Sequence, residues 1–288
     1  MSAFKVFAVA GAQSNVGKAA VLALAATSGV SVLVLTRKTT PRPDWLPEAV
    51  AHAGIDYADV EGTAAVIRQH KVEALIAAVT TTAVLQQLPL ADAAKAGGVQ
   101  LFVPSEYGTV TKGWKKGEAP AYLVPKVQVA DHLESIGLPS VRLFTGSFIE
   151  FVPLLVGYVV NKKVNILNSL KGDTAFSATA TSDIGGYLVH LLTHYPLSEL
   201  ANKAFRIEGD RLTLNGLGAV FKAPVEKVEE VPVPEGGLPS AALATLQSVI
   251  EQGLLSLDTK VGEGDGAGGA NHLWQGHHWT TLQEFLKL

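Results

Sequence analysis

Seven residues near the start of the chain constrain its fold more than any others. Lys5–Ala10 reads as a short apolar strand and Val16–Thr27 as an Ala/Leu-rich helix, and Gly11-Ala12-Gln13-Ser14-Asn15-Val16-Gly17 joins them. A strand that passes through a glycine turn into a helix opens a βαβ unit. Its helix N-terminus presents N–H groups to an anion. The spacing is that of G-x-x-G-x-x-G with Ser14 in place of the middle glycine. Gly11 would make the tight turn, and Gly17 would let helix and strand pack closely. The backbone of Gln13, Ser14, Asn15 and Val16 would then face a dinucleotide pyrophosphate, with the Ser14 hydroxyl as an extra donor to a phosphate oxygen.

The rest of the first half repeats the alternation. Strands are predicted at Ser31–Leu35, Gly54–Val60, Val72–Val79, Gln100–Val103 and Ser140–Phe144. Helices are predicted at Thr63–Gln69, Ala83–Ala96 and Pro125–Ile136, and Thr39–Asp44 reads as a loop before a short helix. Strands alternating with helices at this spacing mean a parallel sheet. After Gly146 the pattern changes. A helix is predicted over Ser147–Val160, strands over Val164–Leu167 and Thr174–Ala180, a helix over Asp183–His194 and a strand over Ala204–Ile207. Helices follow at Ala241–Leu255 and, short and amphipathic, at Trp279–Leu288. Gly262–Gly269 holds five glycines in eight residues and reads as a flexible loop. The expected fold class is α/β. A Rossmann-type parallel sheet is expected over residues 1–146, joined by about 181–208. A smaller, discontinuous C-terminal substrate lobe is expected over 147–288, closing on the carboxyl ends of the strands.

Composition narrows the function. Apolar residues are 48% of 288, enough for a large core. The net charge of −3 leaves no basic footprint for nucleic acid. The chain has no cysteine, which excludes disulfides, a thiolate nucleophile and Cys-based zinc sites. The most membrane-like stretch, Ser147–Val160, contains Glu150 and Pro153 and is too short to span a bilayer. The N-terminus reads as a strand, not a signal peptide, so a cytoplasmic protein without membrane partners is expected.

The end of the second strand selects the cofactor. NAD-binding folds place an acid there for the ribose hydroxyls, whereas this strand ends Leu35-Thr36-Arg37-Lys38. A guanidinium at that position pairs with a 2′-phosphate, so the expected cofactor is NADPH. Asp59 and Val60, ending the third predicted strand, are expected beside the adenine. Thr80 and Thr81, after the fourth, are expected along the cofactor or as a helix cap. His272, His277 and His278 have no convincing ligand spacing, and no metal site is expected.

The segment Leu101-Phe102-Val103-Pro104-Ser105-Glu106-Tyr107-Gly108 resembles the F-x-P-S-E-F-G signature of the NmrA-like and isoflavone-reductase-like proteins, atypical short-chain dehydrogenases/reductases. Lys126, thirteen residues before Pro139, resembles the lysine of that family's helix, and Asp183-Ile184-Gly185 resembles its later D-I-G. The resemblance covers roughly residues 4–210. It implies an NADPH-binding monomer or homodimer that acts on a small molecule. Family members reduce phenolics, quinones and carbonyls, and some bind dinucleotide as redox-sensing regulators without turnover. In the short-chain dehydrogenase pattern, Tyr122 and Lys126 at i and i+4 would be acid and charge, with Ser105 orienting the substrate. The isoflavone-reductase branch usually keeps only the Lys. Pro125 belongs in a helix's first turn, which puts Tyr122 ahead of the helix. Pro104 and Ser105 are expected to border the cofactor, Tyr107 and Phe148 the substrate, and Glu106 to organise its loop.

Overall fold

In a computed structural model that describes residues 4–114, 117–258 and 266–287, the strand β1 (Val6–Ala10) is the centre of the sheet. Phe7 through Ala10 are fully buried, on both faces of the strand. Only a parallel strand covered by helices on each side buries consecutive residues in this way. Glycine then turns the chain into α1 (Asn15–Ala25), followed by β2 (Ser31–Arg37), β3 (Ala51–Ile55) and α2 (Val60–Gln69). The run continues through β4 (Ala74–Ala77), α3 (Gln87–Ala96), β5 (Leu101–Val103), α4 (Val124–Ser135) and β6 (Arg142–Phe144).

The five-stranded sheet has the order β3-β2-β1-β4-β5, and every pair in it is parallel. A parallel bridge between Phe102 and Ser140 carries it on toward β6. Because β2 lies on one side of β1 and β4 on the other, the order reverses at β1. This is where open α/β sheets bind ligands, beyond the strands' carboxyl ends. One core, with Leu33, Leu35, Ile67, Leu75, Leu90, Phe102 and Leu133, packs α2, α3 and α4 on one face.

Two local expectations fail for chemical reasons. The third strand is Ala51–Ile55, not Gly54–Val60. Asp56 Oδ1 accepts from Ala58 N at 3.0 Å and Asp59 Oδ1 from Gly62 N at 2.9 Å. Aspartates that bond the backbone ahead of them make turns and caps, and they end the strand. No helix follows Asp44. The prolines break the chain into turns there, and Arg42 ties them with bonds to the carbonyls of Val50 (2.9 Å) and Pro47 (2.7 Å).

The chain then forms β7 (Ser147–Phe148), α5 (Val152–Leu155), α6 (Tyr158–Asn161), β8 (Val164–Leu167), β9 (Phe176–Thr179) and the long α7 (Thr181–His194). After α7 come α8 (Leu197–Leu200), β10 (Ala204–Arg206), β11 (Asp210–Leu212), α9 (Leu217–Phe221), β12 (Val225–Val228), α10 (Ser240–Glu251) and α11 (Leu282–Leu286). Residues 1–106, 111–143 and 184–205 make one compact unit, and 107–110, 144–183 and 206–288 a second. Gly185 explains how α7 sits on the first unit: a Cβ there would lie 2.7 Å from the Ala19 side chain on α1.

The second unit has its own core around Ile149, Ile166, Phe176, Leu214 and Ile250, a β11-β9-β7 sheet and a parallel β12-β8 pair. The expected helix over Ser147–Val160 is broken. It starts as a strand paired with β9, and Gly157 at φ 63° separates α5 from α6. A Cβ on Gly157 would meet Pro232 at 2.7 Å. Of the glycine-rich stretch, Gly262 and Gly264 lie outside the described residues. Its later part is a turn in which Ala267 N donates to Asp258 Oδ1 at 2.9 Å. No helix among the described residues is long and apolar enough to cross a membrane.

Candidate dinucleotide and active site

The phosphate turn is shaped by what its glycines lack. Gly11 has φ 84°, and a Cβ on it would lie 2.3 Å from the carbonyl oxygen of Ala78, just beyond β4. A Cβ on Gly17 would lie 2.3 Å from the carbonyl oxygen of Gly11. Both contacts are impossible, so the two positions admit only glycine. The first turn of α1 carries no acidic residue. Val16 and Gly17 are buried, while Gln13 and Asn15 are exposed. The helix thus presents its positive N-terminal end to the cleft with no acidic residue in its own first turn, a cradle that fits a pyrophosphate. Ser14 does something other than expected. Its Oγ accepts from Gly17 N at 3.1 Å and donates to Gly11 O at 2.9 Å, so the hydroxyl caps the helix and closes the turn.

A cavity of about 240 Å³ runs from this turn, lined by Gly11, Ser14, Arg37, Tyr57, Thr80 and Gln86 among others. A more open hollow of about 590 Å³ shares Arg37, Tyr57 and Gln86 and adds Lys38, Asp56 and Leu85. Arg37 ends β2 exposed to the cleft. Lys38 lies 3.9 Å from Asp59 in a solvent-facing ion pair. Asp59 is the N-cap of α2, and Val60 packs against the core; neither lines the groove. The wall expected from them is supplied by Asp56, Tyr57 and Ala58. Burial pushes the Tyr57 phenol up and Arg37, which lines the same cavities, pulls it back. Sequence reasoning missed Tyr57 because it assigned that stretch to a strand. The Asp56–Asp59 turn chemistry was the available signal.

Thr80 stands at the N-cap of a 3-10 turn over Thr81–Gln86 with no side-chain capping bond. Its hydroxyl meets that of Thr82 at 3.2 Å, and Thr80 lines the smaller cavity. Thr81 is exposed. Beyond β5, Pro104 and Ser105 are buried. Ser105 Oγ donates to Val79 O at 2.9 Å, and its N–H donates to Gln87 Oε1 at 2.8 Å. Its hydroxyl therefore laces the β5 loop to the β4 loop.

Leu123 precedes α4 as its N-cap, and Pro125 lies in its first turn. Tyr122 therefore precedes the helix and is 40% exposed. Lys126 is turned inward, and its Nζ donates to the backbone carbonyl of Glu106. The Glu106 side chain is buried and accepts from Thr111 Oγ1 at 2.6 Å, with Arg142 Nη1 at 3.8 Å. Burial pushes the Lys126 ammonium below its ordinary range, opposed by Glu106. Lys126 is half-buried beside the loop that leaves the carboxyl end of β5, and its ammonium could donate to an oxygen that gains negative charge. Tyr107, buried in the second unit, takes φ 36°, unusual for a bulky side chain. Phe148, in β7, is half-buried. His272 and His278 are exposed at the surface, His277 stacks on Trp274 at 3.6 Å between ring centres, and no metal-ligand cluster occurs among the described residues.

The sequence pattern of the NmrA-like family matches residues 4–286. Oxidoreductase aprR of Aspergillus flavus is 29% identical over 185 residues, which is 62% of this chain and 60% of that protein. The match thus spans less than two thirds of that relative. Among solved structures, the leucoanthocyanidin reductase–NADPH complex from Vitis vinifera aligns with a TM-score of 0.76 at 18% identity, covering 97% of each chain. Citrobacter sp. triphenylmethane reductase complexed with NADP(H) also aligns with a TM-score of 0.76, at 16% identity over 99% of each chain. At such identities the likeness is one of fold.

Proposed function

This chain belongs to the NmrA-like family, and from that premise we propose that it is an NADPH-dependent oxidoreductase of a small aromatic or carbonyl compound. The observation that carries this reading is the glycine cradle with Arg37 at the next strand end. Gly11 and Gly17 bring backbone against backbone, with room for no more than a hydrogen at either position, and so set the turn that would hold a pyrophosphate. Arg37 ends β2 and lines the cavity, where it would meet a 2′-phosphate with no acid on the strand end to repel it. The oxidoreductase relative and the NADPH-bound fold neighbours support the same reading.

The bound nicotinamide would supply a hydride. The chain's own residues must place the acceptor and stabilise the charge it gains. Lys126 is assigned the second of these roles, because its ammonium would donate to the acceptor's oxygen as negative charge develops there. Tyr122, ahead of α4, is assigned a lesser and substrate-dependent part. Ser105 acts by holding the loops after β4 and β5 together. Tyr107 and Phe148, in the second unit, are assigned to the substrate. A panel of quinones, aromatic aldehydes, enones and phenolic ethers, with NADPH oxidation followed optically, tests the reading. Consumption of NADPH with one of these classes supports it. Tight NADPH binding without consumption would favour a dinucleotide-sensing regulator.

A further inference from the structure

Glu106 is 3% exposed and lies between two cations that come from different elements. On one side Lys126, from α4, donates to its backbone carbonyl. On the other, Arg142 of β6 stands 3.8 Å from its carboxylate. Thr111 supplies a 2.6 Å hydrogen bond to Oε1, while Oε2 has no hydrogen-bond partner among the described residues. Burial pushes the Glu106 carboxyl up, and Lys126, Arg142 and the Thr111 bond pull it back toward the ionised form. Arg142 is shared: Asp131 and Glu134 of α4 also act on it, and Lys112 lines the same cleft. That sharing leaves Lys126 as the cation whose charge depends most on Glu106.

We propose that Glu106 is a positioning residue for Lys126: its carbonyl anchors the ammonium, and its carboxylate, held by Thr111 and Arg142, keeps that half-buried ammonium charged. The inference rests on Lys126 being the group that stabilises the reacting oxygen. A role confined to loop structure would need the carbonyl and the Thr111 bond, and a glutamine could keep both. The charge is what a glutamine lacks. Burial alone drives the Lys126 ammonium toward the neutral amine, and Glu106 is the group that opposes this. Removing the carboxylate charge therefore moves loss of the Lys126 proton to lower pH.

Competitive acetylation of the full protein across a pH series, resolved by peptide mass spectrometry, reads the ionisation of Lys126 without turnover. Glu106→Gln should lower the Lys126 midpoint by a pH unit or more, about a tenfold change in its ionisation constant. Exposed Lys18 and Lys38 should not move, and Glu106→Asp should restore most of the shift. With a substrate in hand, the alkaline limb of kcat should move by the same amount. An unmoved Lys126 midpoint in folded Glu106→Gln overturns the proposal. If Glu106→Gln does not fold, Thr111→Val tests the link: it removes a hydrogen bond that favours the ionised carboxylate and should lower the Lys126 midpoint by a smaller amount, and an unmoved midpoint overturns the proposal. Because labelling needs no reaction, a failed substrate search bears on the proposed activity and not on Glu106.

Discussion

The turn after β1 and the loop after β5 both leave the carboxyl end of a parallel strand, yet opposite means hold them. The first is made of absences: two glycines whose missing Cβ atoms let backbone approach backbone. The second is made of buried charge: Glu106, Lys126, Arg142 and Thr111 close on one another from three separate stretches of chain. A turn set by sterics should fail abruptly when a methyl is added and should ignore pH. A loop set by ionised groups should tolerate isosteric change and respond to pH. Dinucleotide binding needs the first kind of rigidity, and moving a proton needs the second kind of responsiveness.

The harshest test of the steric half is Gly11→Ala. It adds a methyl 2.3 Å from the Ala78 carbonyl at a backbone angle that alanine rarely adopts. Strain and overpacking together should cost about 3 kcal/mol or more. Thermal unfolding should show that loss, and calorimetric titration should show no NADPH binding. A variant that binds normally would mean that the turn is not sterically set. For the charged half, Lys126→Met should leave the fold intact and cut turnover by about a hundredfold, the scale of one general acid–base group. Rate measurements on an identified substrate decide it, and full activity would remove Lys126 from the mechanism. Tyr122→Phe should lose less, because Tyr122 stands outside α4.

The same contrast governs how much could be read from the sequence. The parallel sheet and the phosphate turn were legible because local pattern determines them: apolar runs, glycine spacing, a strand leading into a helix. The start of α4 was legible for the same reason, since Pro125 allows no helix interior around it. The third strand was misplaced because Asp56 and Asp59 bond their own backbone, a short-range competition that hydrophobicity does not report. The helix over Ser147–Val160 failed at Gly157, where Pro232, seventy-five residues away, occupies the space a side chain would need. The Glu106 cluster was invisible for a related reason. Glu106 could be suspected of organising its loop, but no spacing rule brings positions 106, 111, 126 and 142 together.

Arg37→Ala separates cofactor choice from cofactor holding. If the guanidinium reads the 2′-phosphate, the wild type should bind NADPH at least about tenfold more tightly than NADH, or about 1.4 kcal/mol, and the variant should lose that margin. NADH affinity should hardly change, because the cradle is untouched. Titration of both cofactors with both proteins is the measurement. Equal affinities in the wild type would sink the assignment. Lys38 should matter less than Arg37, since it already faces Asp59 at 3.9 Å.

The smallest expected effect is at Ser14, and it is the one that best separates shape from ligand contact within the turn. By the G-x-x-G-x-x-G spacing alone, a serine there would lose backbone approach and regain grip through a hydroxyl bond to phosphate. The backbone at Ser14 is extended, φ −75° and ψ 159°, which any residue adopts, so no glycine is required. Its hydroxyl is already engaged with Gly17 N–H and the Gly11 carbonyl. Ser14→Ala should therefore act mainly as a lost N-cap, lowering stability by about 1 kcal/mol. Ser14→Gly should cost only a few tenths, roughly, because glycine is itself an acceptable N-cap. NADPH affinity should stay within about threefold in both, less than 1 kcal/mol. Thermal melts of the ligand-free protein beside NADPH titrations make the distinction. Unchanged stability with a tenfold weaker NADPH complex would show that the hydroxyl leaves its cap to bond the phosphate, and the turn would then owe part of its grip to a side chain.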